Sequence, residues 1–295
     1  MPESKGGPRV SAVVLNYVNY EQTLLCVADL LAQDWPQLDV VVVDNQSPNE
    51  SMSKLREAYA VQERVTLMQT DGNLGYARGN NRGARWRTEH GPVDYILVSN
   101  NDVRLPARST VRDMVAFAET RPDLGGLGPR VETPNGFPQG PYRRPNVVLR
   151  ILRNLLPVFP LVYRFWRRSR PDARATRCYA IVGAFMLMKA KPFAAVDFFD
   201  EGTFLGAEEY ILAERLRRLG LTFWYLPSTS VIHDHRQSST ALTGGKTRYS
   251  PAGLASMLYY FRAYQGVSSP LLRCFELSAR FYNQVFLGFR RRFTI

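Results

Sequence analysis

The sequence predicts an α/β fold with a mostly parallel central sheet, and three observations lead to this expectation. Short apolar runs at Val10–Leu15, Leu38–Val43 and Tyr95–Ser99 consist mainly of residues that favour strands. Apolar residues follow one another in these runs instead of alternating with polar ones, which is typical of strands covered on both faces. Segments with helical spacing lie between the runs, as expected where helices connect parallel strands.

The first half of the chain alternates between the two kinds of element. In the first predicted helix, Leu24, Val27 and Leu31 fall on one face, and the pair Trp35-Pro36 ends the segment. Ser109 is a candidate cap of the fourth helix, because its hydroxyl can accept a hydrogen bond from a free backbone N–H. The elements expected in order are strand Val10–Leu15, helix Tyr20–Gln33, strand Leu38–Val43, helix Ser51–Gln62, strand Val65–Gln69, a helix around Ala77–Arg87, strand Tyr95–Ser99 and helix Ser109–Thr120.

The second half is less regular. Gly125–Pro145 is rich in glycine and proline and is expected to be irregular. Arg236–Arg248 is polar, contains two adjacent glycines and is expected to form a mobile loop or lid. The remaining elements expected are strand Cys178–Met188, a helix from Glu208 to Gly220, strand Leu221–Leu226 and helices Leu254–Tyr264 and Leu271–Phe289.

Composition indicates a folded globular chain whose positive charge is concentrated in two segments. The 295 residues suffice for one large domain or two small ones, and the net charge is +12. Residues 143–177 contain ten arginines and one aspartate, and residues 270–295 contain five arginines and one glutamate. These segments are expected to meet an anionic partner, such as lipid headgroups, nucleic acid or a phosphorylated substrate. Cys26, Cys178 and Cys274 form no metal or redox spacing, which fits a reducing cytosol.

Both basic segments also carry apolar side chains. Val147–Arg168 mixes apolar and aromatic residues with arginines, and its two prolines exclude an ordinary membrane-spanning helix. No window of about 18 residues is apolar and uncharged, so no spanning helix is expected elsewhere. This segment suits a membrane interface, and the alternative is a helix that covers part of the core with an arginine-rich outer side. The helix Leu271–Phe289, followed by three arginines, either lies on a membrane or packs against the first segment.

Polar side chains follow two of the predicted strands at the points where these strands end. The fourth strand leads into Asn100, Asn101 and Asp102, and the second leads into Asp44 and Asn45. In open α/β sheets, ligands bind beyond the carboxyl ends of the strands. Asp102 is a hard oxygen ligand, suited to a Mg²⁺ or Mn²⁺ ion that holds a diphosphate. The alternative is a polar turn in which these residues serve turn geometry only.

A glycine-rich stretch, Asp71–Gly83, connects the third strand to the third helix. Its four glycines and three asparagines allow close approach of the backbone to a ligand. The glycine spacing, and the place of the stretch after the third strand, differ from the dinucleotide-binding pattern. The functional interpretation is a helix N-terminus that brings Arg78 and Asn80 near a phosphate or sugar, and the alternative is an ordinary helix-entry turn.

The order of four motifs resembles that of family 2 glycosyltransferases. The motifs read VSAVVLNY, VVVDNQS, GNLGYARGNNRG and ILVSNNDV, and the resemblance extends roughly from Val10 to Ser238. The sequence looks most like the rhamnosyltransferase-like branch, which builds bacterial cell-surface polysaccharides. The resemblance implies a GT-A fold, a nucleoside-diphosphate sugar donor, a divalent metal and inversion at the anomeric carbon.

The acidic pair of this family is matched by Glu208 and Glu209, and Arg215 fits the spacing of the arginine that follows. The second acid of the family is usually Asp, so Glu209 is one methylene longer, and a further acidic position is Ile211 here. Sugar transfer needs a base that takes the proton of the acceptor hydroxyl, and a carboxylate in the first turn of a helix is well held for this task. Glu209 is therefore the expected base; the alternative is an ordinary acidic first turn.

Three further positions acquire roles from the resemblance. Gly183 and Ala184 match a small-residue segment that family members place beside the donor sugar and the acceptor. His233 matches a histidine that reaches the metal or the diphosphate, and a neutral imidazole is a suitable Mn²⁺ ligand. The alternative for His233 is a surface loop with incidental histidines.

The resemblance implies an enzyme that moves a sugar such as rhamnose to a saccharide or lipid-linked acceptor. The cysteines and the two basic segments add the expectation that it is cytoplasmic and peripheral on the inner face of the cell membrane. Residues 1–240 are expected to form the catalytic domain, with a basic insertion at about 143–177, and residues 241–295 a basic, amphipathic helical region. A dTDP- or UDP-sugar is the expected donor, and nucleic acid is not an expected partner. The expected site residues are Glu208 and Glu209 for catalysis, Asn16, Asp44, Asn45, Gly75, Arg78, Asn80, Asn100, Asn101 and Asp102 for the donor, Gly183 and Ala184 for a sugar, and Asp102 and His233 for Mg²⁺ or Mn²⁺.

Two other functions are open alternatives. A sugar-nucleotide pyrophosphorylase is also α/β, but it usually has a glycine-rich loop with Lys or Arg after its first strand, and Asn16–Tyr20 is unlike such a loop. A nucleic-acid-binding protein would use the basic segments, where aromatic residues and arginines interleave at Tyr163–Arg168. Binding to DNA that is salt-dependent and tighter than binding to anionic vesicles would favour this second alternative.

Overall fold

The computed structural model describes residues 7–155, 174–234 and 249–293, with residues 286–293 as backbone only. The expected lid at Arg236–Arg248 and the later part of Val147–Arg168 lie outside the described residues. The strands are β1 (Val10–Asn16), β2 (Leu38–Asp44), β3 (Val65–Gln69), β4 (Tyr95–Asn100), β5 (Val103–Arg104), β6 (Leu124–Glu132), β7 (Pro138–Gln139), β8 (Thr176–Cys178), β9 (Phe185–Lys189) and β10 (Thr222–His233). The helices are α1 (Tyr20–Leu31), α2 (Ser51–Tyr59), α3 (Gly75–Glu89), α4 (Thr110–Glu119), α5 (Val147–Leu155), α6 (Ala190–Ala195), α7 (Glu208–Arg218), α8 (Pro251–Ala263) and α9 (Ser269–Phe293).

The central sheet confirms the predicted α/β class. Its strand order is β3-β2-β1-β4-β9-β6-β10-β5, with β7 beside β6 and β8 beside β10. The pairs β1–β2, β2–β3, β1–β4 and β6–β10 are parallel, whereas β9 runs antiparallel between β4 and β6. In the register, Asn16 is opposite Asp44 and Leu15 is opposite Asn100. The polar ends of β1, β2 and β4 therefore meet at one edge of the sheet.

Helix α3 packs unusually close to this sheet because two of its glycines face the strands. A Cβ on Gly79 would lie 2.5 Å from Leu15 Cδ1, and a Cβ on Gly83 would lie 2.7 Å from Val13 Cγ1. Any side chain at these positions would push α3 outward. The glycine-rich stretch thus has a structural role along its helical part, which fixes the distance between its first turn and the strand ends.

The expectation that Gly125–Pro145 is irregular is wrong in its first part. Residues 124–132 form β6, a strand in the interior of the sheet with most of its side chains buried. A Cβ on Gly126 would lie 2.6 Å from Met188 Sδ and 2.6 Å from the Phe223 ring. The glycines of this strand leave the space that larger neighbours fill, so packing across the sheet overrides the low strand propensity of glycine.

The predicted strand Cys178–Met188 is also corrected by the structure. It comprises two short strands in different places, β8 beside β10 and β9 between β4 and β6. Gly183 and Ala184 lie in the connection immediately before β9, and we call these two residues the small-residue turn. The predicted strand Leu221–Leu226 is longer than expected, because β10 continues to His233. His233 is therefore at the end of a strand and not in a surface loop.

The C-terminal helices share a hydrophobic core with α5 and with the start of α7. Val147 of α5, Ala207 and Ile211 around α7, Phe261 of α8 and Phe275 of α9 belong to this cluster, which is separate from the two clusters that cover the sheet. Helix α9 therefore packs against the described part of the first basic segment, which was one of the two expectations for it. Within residues 7–155, 174–234 and 249–293, no helix combines the length and the apolar character that crossing a bilayer requires.

Candidate active site

Polar side chains at the ends of β1, β2 and β4 form one buried hydrogen-bonded cluster. Asn16 Nδ2 donates to Asp44 Oδ1 at 2.6 Å, and the Thr23 hydroxyl donates to Asn16 Oδ1 at 2.7 Å. Asn101 Nδ2 donates to the Thr23 hydroxyl at 3.0 Å and thereby connects β4 to the same cluster. Asp44 also accepts the backbone N–H of Ser47 at 3.0 Å. Asn16, Asp44 and Asn101 hold the strand ends in register, and their contact with a donor stays a prediction.

Asn45 connects the end of β2 to the glycine-rich stretch. Its Nδ2 donates to Asn73 Oδ1 at 3.0 Å and to the Gly75 carbonyl at 3.1 Å, while its Oδ1 accepts the Leu74 N–H at 3.0 Å. Gly75 adopts a φ of +77°, and a Cβ there would lie 2.3 Å from the Phe204 carbonyl oxygen. The predicted residues Asn45 and Gly75 therefore shape the loop that leads into α3.

The two polar residues predicted on α3 have different surroundings. Arg78 is exposed, and its Nε lies 3.3 Å from the Glu201 carbonyl oxygen, so the structure does not bring it into the cluster of strand ends. Asn80 is buried and donates to the Tyr76 carbonyl at 2.9 Å, while its Oδ1 has no hydrogen-bond partner among the described residues. Asn80 is thus the better placed of the two to accept a hydrogen bond from a ligand.

Asp102 and His233 come together from positions 131 residues apart in the chain. Both are 2% exposed, and His233 Nε2 lies 3.1 Å from Asp102 Oδ1. Gln139 Nε2 donates to the His233 carbonyl at 3.3 Å, which turns Gln139 Oε1 toward His233 Nδ1 at 3.0 Å. Because Nδ1 faces this acceptor oxygen, Nε2 is the ring nitrogen that faces Asp102 and could share a cation with it. Asn100 Nδ2 lies 3.4 Å from the same Nε2.

This pair fits a divalent cation. A lone pair and a carboxylate oxygen only 3.1 Å apart repel each other unless both hold a cation, either a proton or a metal ion. Two ligand atoms about 2.1 Å from one octahedral Mg²⁺ ion lie about 3 Å apart when they are adjacent, which matches this spacing. The contact of Nδ1 with Gln139 is the outer support that metal-bound histidines usually have. Across the described ranges, no set of three or more His, Cys, Asp or Glu side chains is arranged to hold a metal.

The carboxylate of Glu209 faces the small-residue turn. A Cβ on Gly183 would lie 3.8 Å from Glu209 Oε2 and 3.8 Å from the hydroxyl of Tyr76. The Tyr76 hydroxyl donates to the Gly183 carbonyl at 2.6 Å, and the Asn100 N–H donates to the Ala184 carbonyl at 2.8 Å. The absence of a side chain at position 183 therefore leaves room for a small group between the α7 carboxylate and the strand ends.

Burial raises the pKa of both glutamates at the start of α7. Glu208 is 4% exposed, and its pKa is raised to about 8, first by burial and second by the charge of Glu209. Glu209 is half-buried, and burial raises its pKa to about 7, while its own backbone N–H and the positive charge of Arg150 act in the opposite direction. A carboxylate with a pKa near 7 is well matched to proton abstraction near neutral pH.

The backbone before this pair is strained. Gly206 has a φ of +92° and Ala207 a φ of +71°, and the Ala207 side chain is buried. A left-handed conformation at alanine costs about 1–2 kcal/mol and persists only where the surroundings enforce it. The strain turns the chain sharply into α7, so that both glutamates begin the helix with their side chains directed inward.

Sequence reasoning missed Tyr76 and Gln139. Tyr76 lies in the glycine-rich stretch, but its bond to the Gly183 carbonyl spans 107 residues, and no local pattern indicates it. Gln139 lies in the segment predicted to be irregular, 94 residues before the histidine that it orients. The available signal for Tyr76 is that it directly follows the predicted site residue Gly75. No signal in the sequence indicated Gln139, because its segment was expected to be irregular.

One path of neighbouring groups, which we call the contact path, connects the predicted residues. It leads from Glu209 to Gly183, through Ala184 to the Asn100 N–H, and from the Asn100 side chain to His233 and Asp102. The structure therefore brings together the predicted base, the predicted small-residue turn and the predicted metal ligands, which the sequence distributes over residues 100–233.

Comparison with protein families gives a match over most of this body. The model of the family described as "Glycosyl transferase family 2" matches residues 11–196, which is more than half of the chain. The match contains the strand-end residues, the glycine-rich stretch and the small-residue turn. The start of α7 and His233 lie beyond it.

Two curated proteins are similar over most of this chain. An N-acetylglucosaminyl-diphospho-decaprenol L-rhamnosyltransferase of Mycobacterium tuberculosis is 27% identical over 227 residues, which cover 71% of this chain and 70% of that protein. The low-salt glycan biosynthesis hexosyltransferase Agl10 of Haloferax volcanii is 23% identical over 231 residues, which cover 78% of this chain and 69% of that protein.

A solved structure has the same fold. The mannosyltransferase PcManGT from Pyrobaculum calidifontis, in complex with GDP-Man and Mn²⁺, superposes with a TM-score of 0.62 at 18% identity. The superposition covers 100% of this chain and 78% of that protein. At this identity the likeness is one of fold, which is the GT-A fold of the nucleotide-sugar transferases.

Proposed function

Because the chain belongs to glycosyl transferase family 2, we propose that it is a metal-dependent, inverting glycosyltransferase that acts on a lipid-linked saccharide. The observation that supports this proposal best is the contact path from Glu209 through the small-residue turn to Asp102 and His233. A base at one end of such a path and cation ligands at the other suit the two ends of a displacement reaction.

In the proposed reaction, Glu209 accepts the proton of an acceptor hydroxyl while the oxygen attacks the anomeric carbon. The bond from this carbon to the diphosphate breaks at the same time, and the diphosphate leaves with the electron pair, so the configuration inverts. Glu208, whose pKa is raised to about 8, carries its proton at neutral pH and can donate a hydrogen bond beside the base. A divalent ion held by Asp102 and His233 would neutralise the charge of the leaving nucleoside diphosphate.

The proposed donor is a nucleoside-diphosphate sugar, with rhamnose from a dTDP-sugar as the first candidate and a UDP-sugar as the second. Similarity to the rhamnosyltransferase of M. tuberculosis supports the sugar, and its name supports a lipid-diphosphate acceptor. The cluster around Asn16, Asp44 and Asn45 is the proposed place of the nucleoside, because it lies at the carboxyl ends of adjacent parallel strands.

We also propose that the protein works in the cytoplasm at the inner surface of the cell membrane. The arginine-rich segments 143–177 and 270–295 support this location, since anionic headgroups attract clustered arginines. The pyrophosphorylase and nucleic-acid alternatives have no comparable support, because the family match and the acid beside Gly183 both favour sugar transfer.

A panel of dTDP-, UDP- and GDP-sugars tests the proposal. Calorimetry with and without Mn²⁺ or Mg²⁺ should give metal-dependent binding of one class of nucleotide sugar, and nucleoside diphosphate should be released when an acceptor is present. Binding of none of these donors under either condition would refute the proposed function.

A further inference from the structure

The paired helices α5 and α9 expose a concentration of large apolar side chains. Seven of the twelve large apolar side chains that are exposed in the described residues belong to these two helices. On α5 they are Val148, Leu149, Leu152 and Leu155, each 40–47% exposed. On α9 they are Leu277, Phe281 and Val285, each 37–55% exposed. Single exposed apolar residues are ordinary, but a concentration on neighbouring helices marks an interaction surface.

The two apolar strips face the same way. Tyr249 marks the inner side of the helix pair, because its hydroxyl lies 3.3 Å from Asn154 Oδ1 on α5 and its carbonyl accepts Asn283 Nδ2 on α9 at 2.8 Å. Successive residues of a helix are rotated by about 100° around its axis. The middle of each strip of exposed apolar residues therefore lies roughly 150° around the helix from Asn154 on α5 and from Asn283 on α9. Asn154 Nδ2 also donates to the Ser278 hydroxyl at 3.1 Å, and this buried bond joins α5 to α9. The seven residues therefore form one surface, which we call the outer face.

The net charge of the segments that contain α5 and α9 favours an anionic partner. The two segments that contain α5 and α9 carry fifteen arginines and only two acidic residues. Two copies of this chain joined through the outer face would bring two helix pairs of net positive charge together, which opposes dimerisation. An anionic lipid surface matches both the positive charge and the exposed apolar side chains. Its headgroups attract arginine, and the boundary of its acyl chains accepts apolar side chains.

We propose that the outer face lies on an anionic membrane, with its apolar side chains at the boundary between headgroups and acyl chains. This inference rests on the proposed function, because the membrane would be the surface from which a lipid-linked acceptor reaches the site. Val147, on the inner side of α5, packs with Ala207 and Ile211 around the acid pair. Helix α5 therefore has the cluster of the acid pair on one side and the outer face on the other, and a helix is about 10 Å across.

The test compares two double variants in vesicle sedimentation. Leu152→Ser with Phe281→Ser changes the outer face, and Leu25→Ser with Leu219→Ser changes two residues of similar exposure elsewhere. The probe is a vesicle of phosphatidylcholine and phosphatidylglycerol in equal amounts, with pure phosphatidylcholine for comparison. The outer-face variant should bind the mixed vesicles roughly 10- to 100-fold less tightly than the unchanged protein, because each lost side chain would bury its exposed half in lipid. The control variant should bind them as the unchanged protein does.

Three results would overturn the inference. They are equal vesicle binding by the outer-face variant and the unchanged protein, absence of binding to the mixed vesicles, and a stable dimer that only the outer-face variant dissociates. A second variant, Leu149→Ser with Leu277→Ser, repeats the comparison in case the first does not fold. Calorimetric binding of the donor panel reports separately on the proposed function. If the donor binds but changes in the outer face do not affect vesicle binding, only the inference is refuted. If changes in the outer face weaken vesicle binding but no donor binds, only the proposed function is refuted.

Discussion

If Glu209 is the proposed base, replacing it with Gln should remove the basic group and leave most of the site intact. Glutamine keeps the shape of the side chain next to the small-residue turn but has negligible basicity. General-base catalysis contributes about 10²–10⁴-fold to the rate, so turnover should fall by this factor. Donor affinity should stay within a few-fold, because Glu209 faces Gly183, at the opposite end of the contact path from Asp102 and His233.

The pH profile of this variant gives the sharper measurement. Because burial raises the pKa of Glu209 to about 7, roughly a tenth of the carboxyl is ionised at pH 6 and roughly nine tenths at pH 8. The kcat/KM of the unchanged enzyme should therefore rise about tenfold over this interval. The residual activity of Glu209→Gln should not show this rise. A coupled assay of nucleoside diphosphate release across pH 5.5 to 9 would record both curves.

Glu208→Gln is the matched control for this experiment. Burial and the charge of Glu209 raise the pKa of Glu208 to about 8, so glutamine resembles the protonated side chain that is present at pH 7. Its turnover at pH 7 should stay within a few-fold of the unchanged enzyme. Near-normal turnover of Glu209→Gln with the same pH profile would refute the role of Glu209. An inactive Glu208→Gln variant together with an active Glu209→Gln variant would instead assign the role of the base to Glu208.

Three other changes test the cation site, the small-residue turn and the packing of α3. Asp102→Asn should abolish the gain in donor affinity that Mn²⁺ gives and leave metal-free binding unchanged in calorimetry; an undiminished metal effect would remove Asp102 from the site. Tyr76→Phe loses the bond to the turn and should lower kcat by up to about tenfold with an unchanged donor Kd, whereas an equal loss of thermal stability and activity would indicate a structural role only. Gly83→Ala should lower the free energy of unfolding, measured by urea titration, by about 1–3 kcal/mol, because the new methyl would lie 2.7 Å from Val13 Cγ1. In the control Gly72→Ala, the new methyl meets nothing within 4 Å, so the free energy of unfolding should change little.

The sequence was sufficient where local chemistry decides the structure. Continuous apolar runs indicated β1, β2 and β4, and acid or amide residues after them indicated the edge at which Asn16, Asp44 and Asn100 meet. The acidic start of α7 was equally visible, because two glutamates precede a segment of helical spacing. These features depend on neighbouring residues, whose preferences the sequence displays directly.

The sequence was insufficient where distant packing decides the structure. Strand β6 contains Gly125, Gly126 and Gly128, and these residues disfavour a strand until the bulky side chains around them fill the space. The division of Cys178–Met188 into β8 and β9 likewise depends on which strands pair with each part. The bond from Tyr76 to the small-residue turn connects segments more than a hundred residues apart, and the composition of neither segment indicates it.

Under the proposed mechanism, the helical cluster that packs beside the acid pair would also affect which molecule receives the sugar. A nucleotide sugar at such a site can be attacked by water as well as by a saccharide, and water is far more concentrated. The residues Val147, Tyr249 and Phe275 belong to the cluster that packs against Ala207, immediately before the pair, and exclude solvent from that side. A change that loosens this cluster should therefore increase donor hydrolysis relative to transfer, so the ratio of the two products measures how well α5, α8 and α9 close over the base.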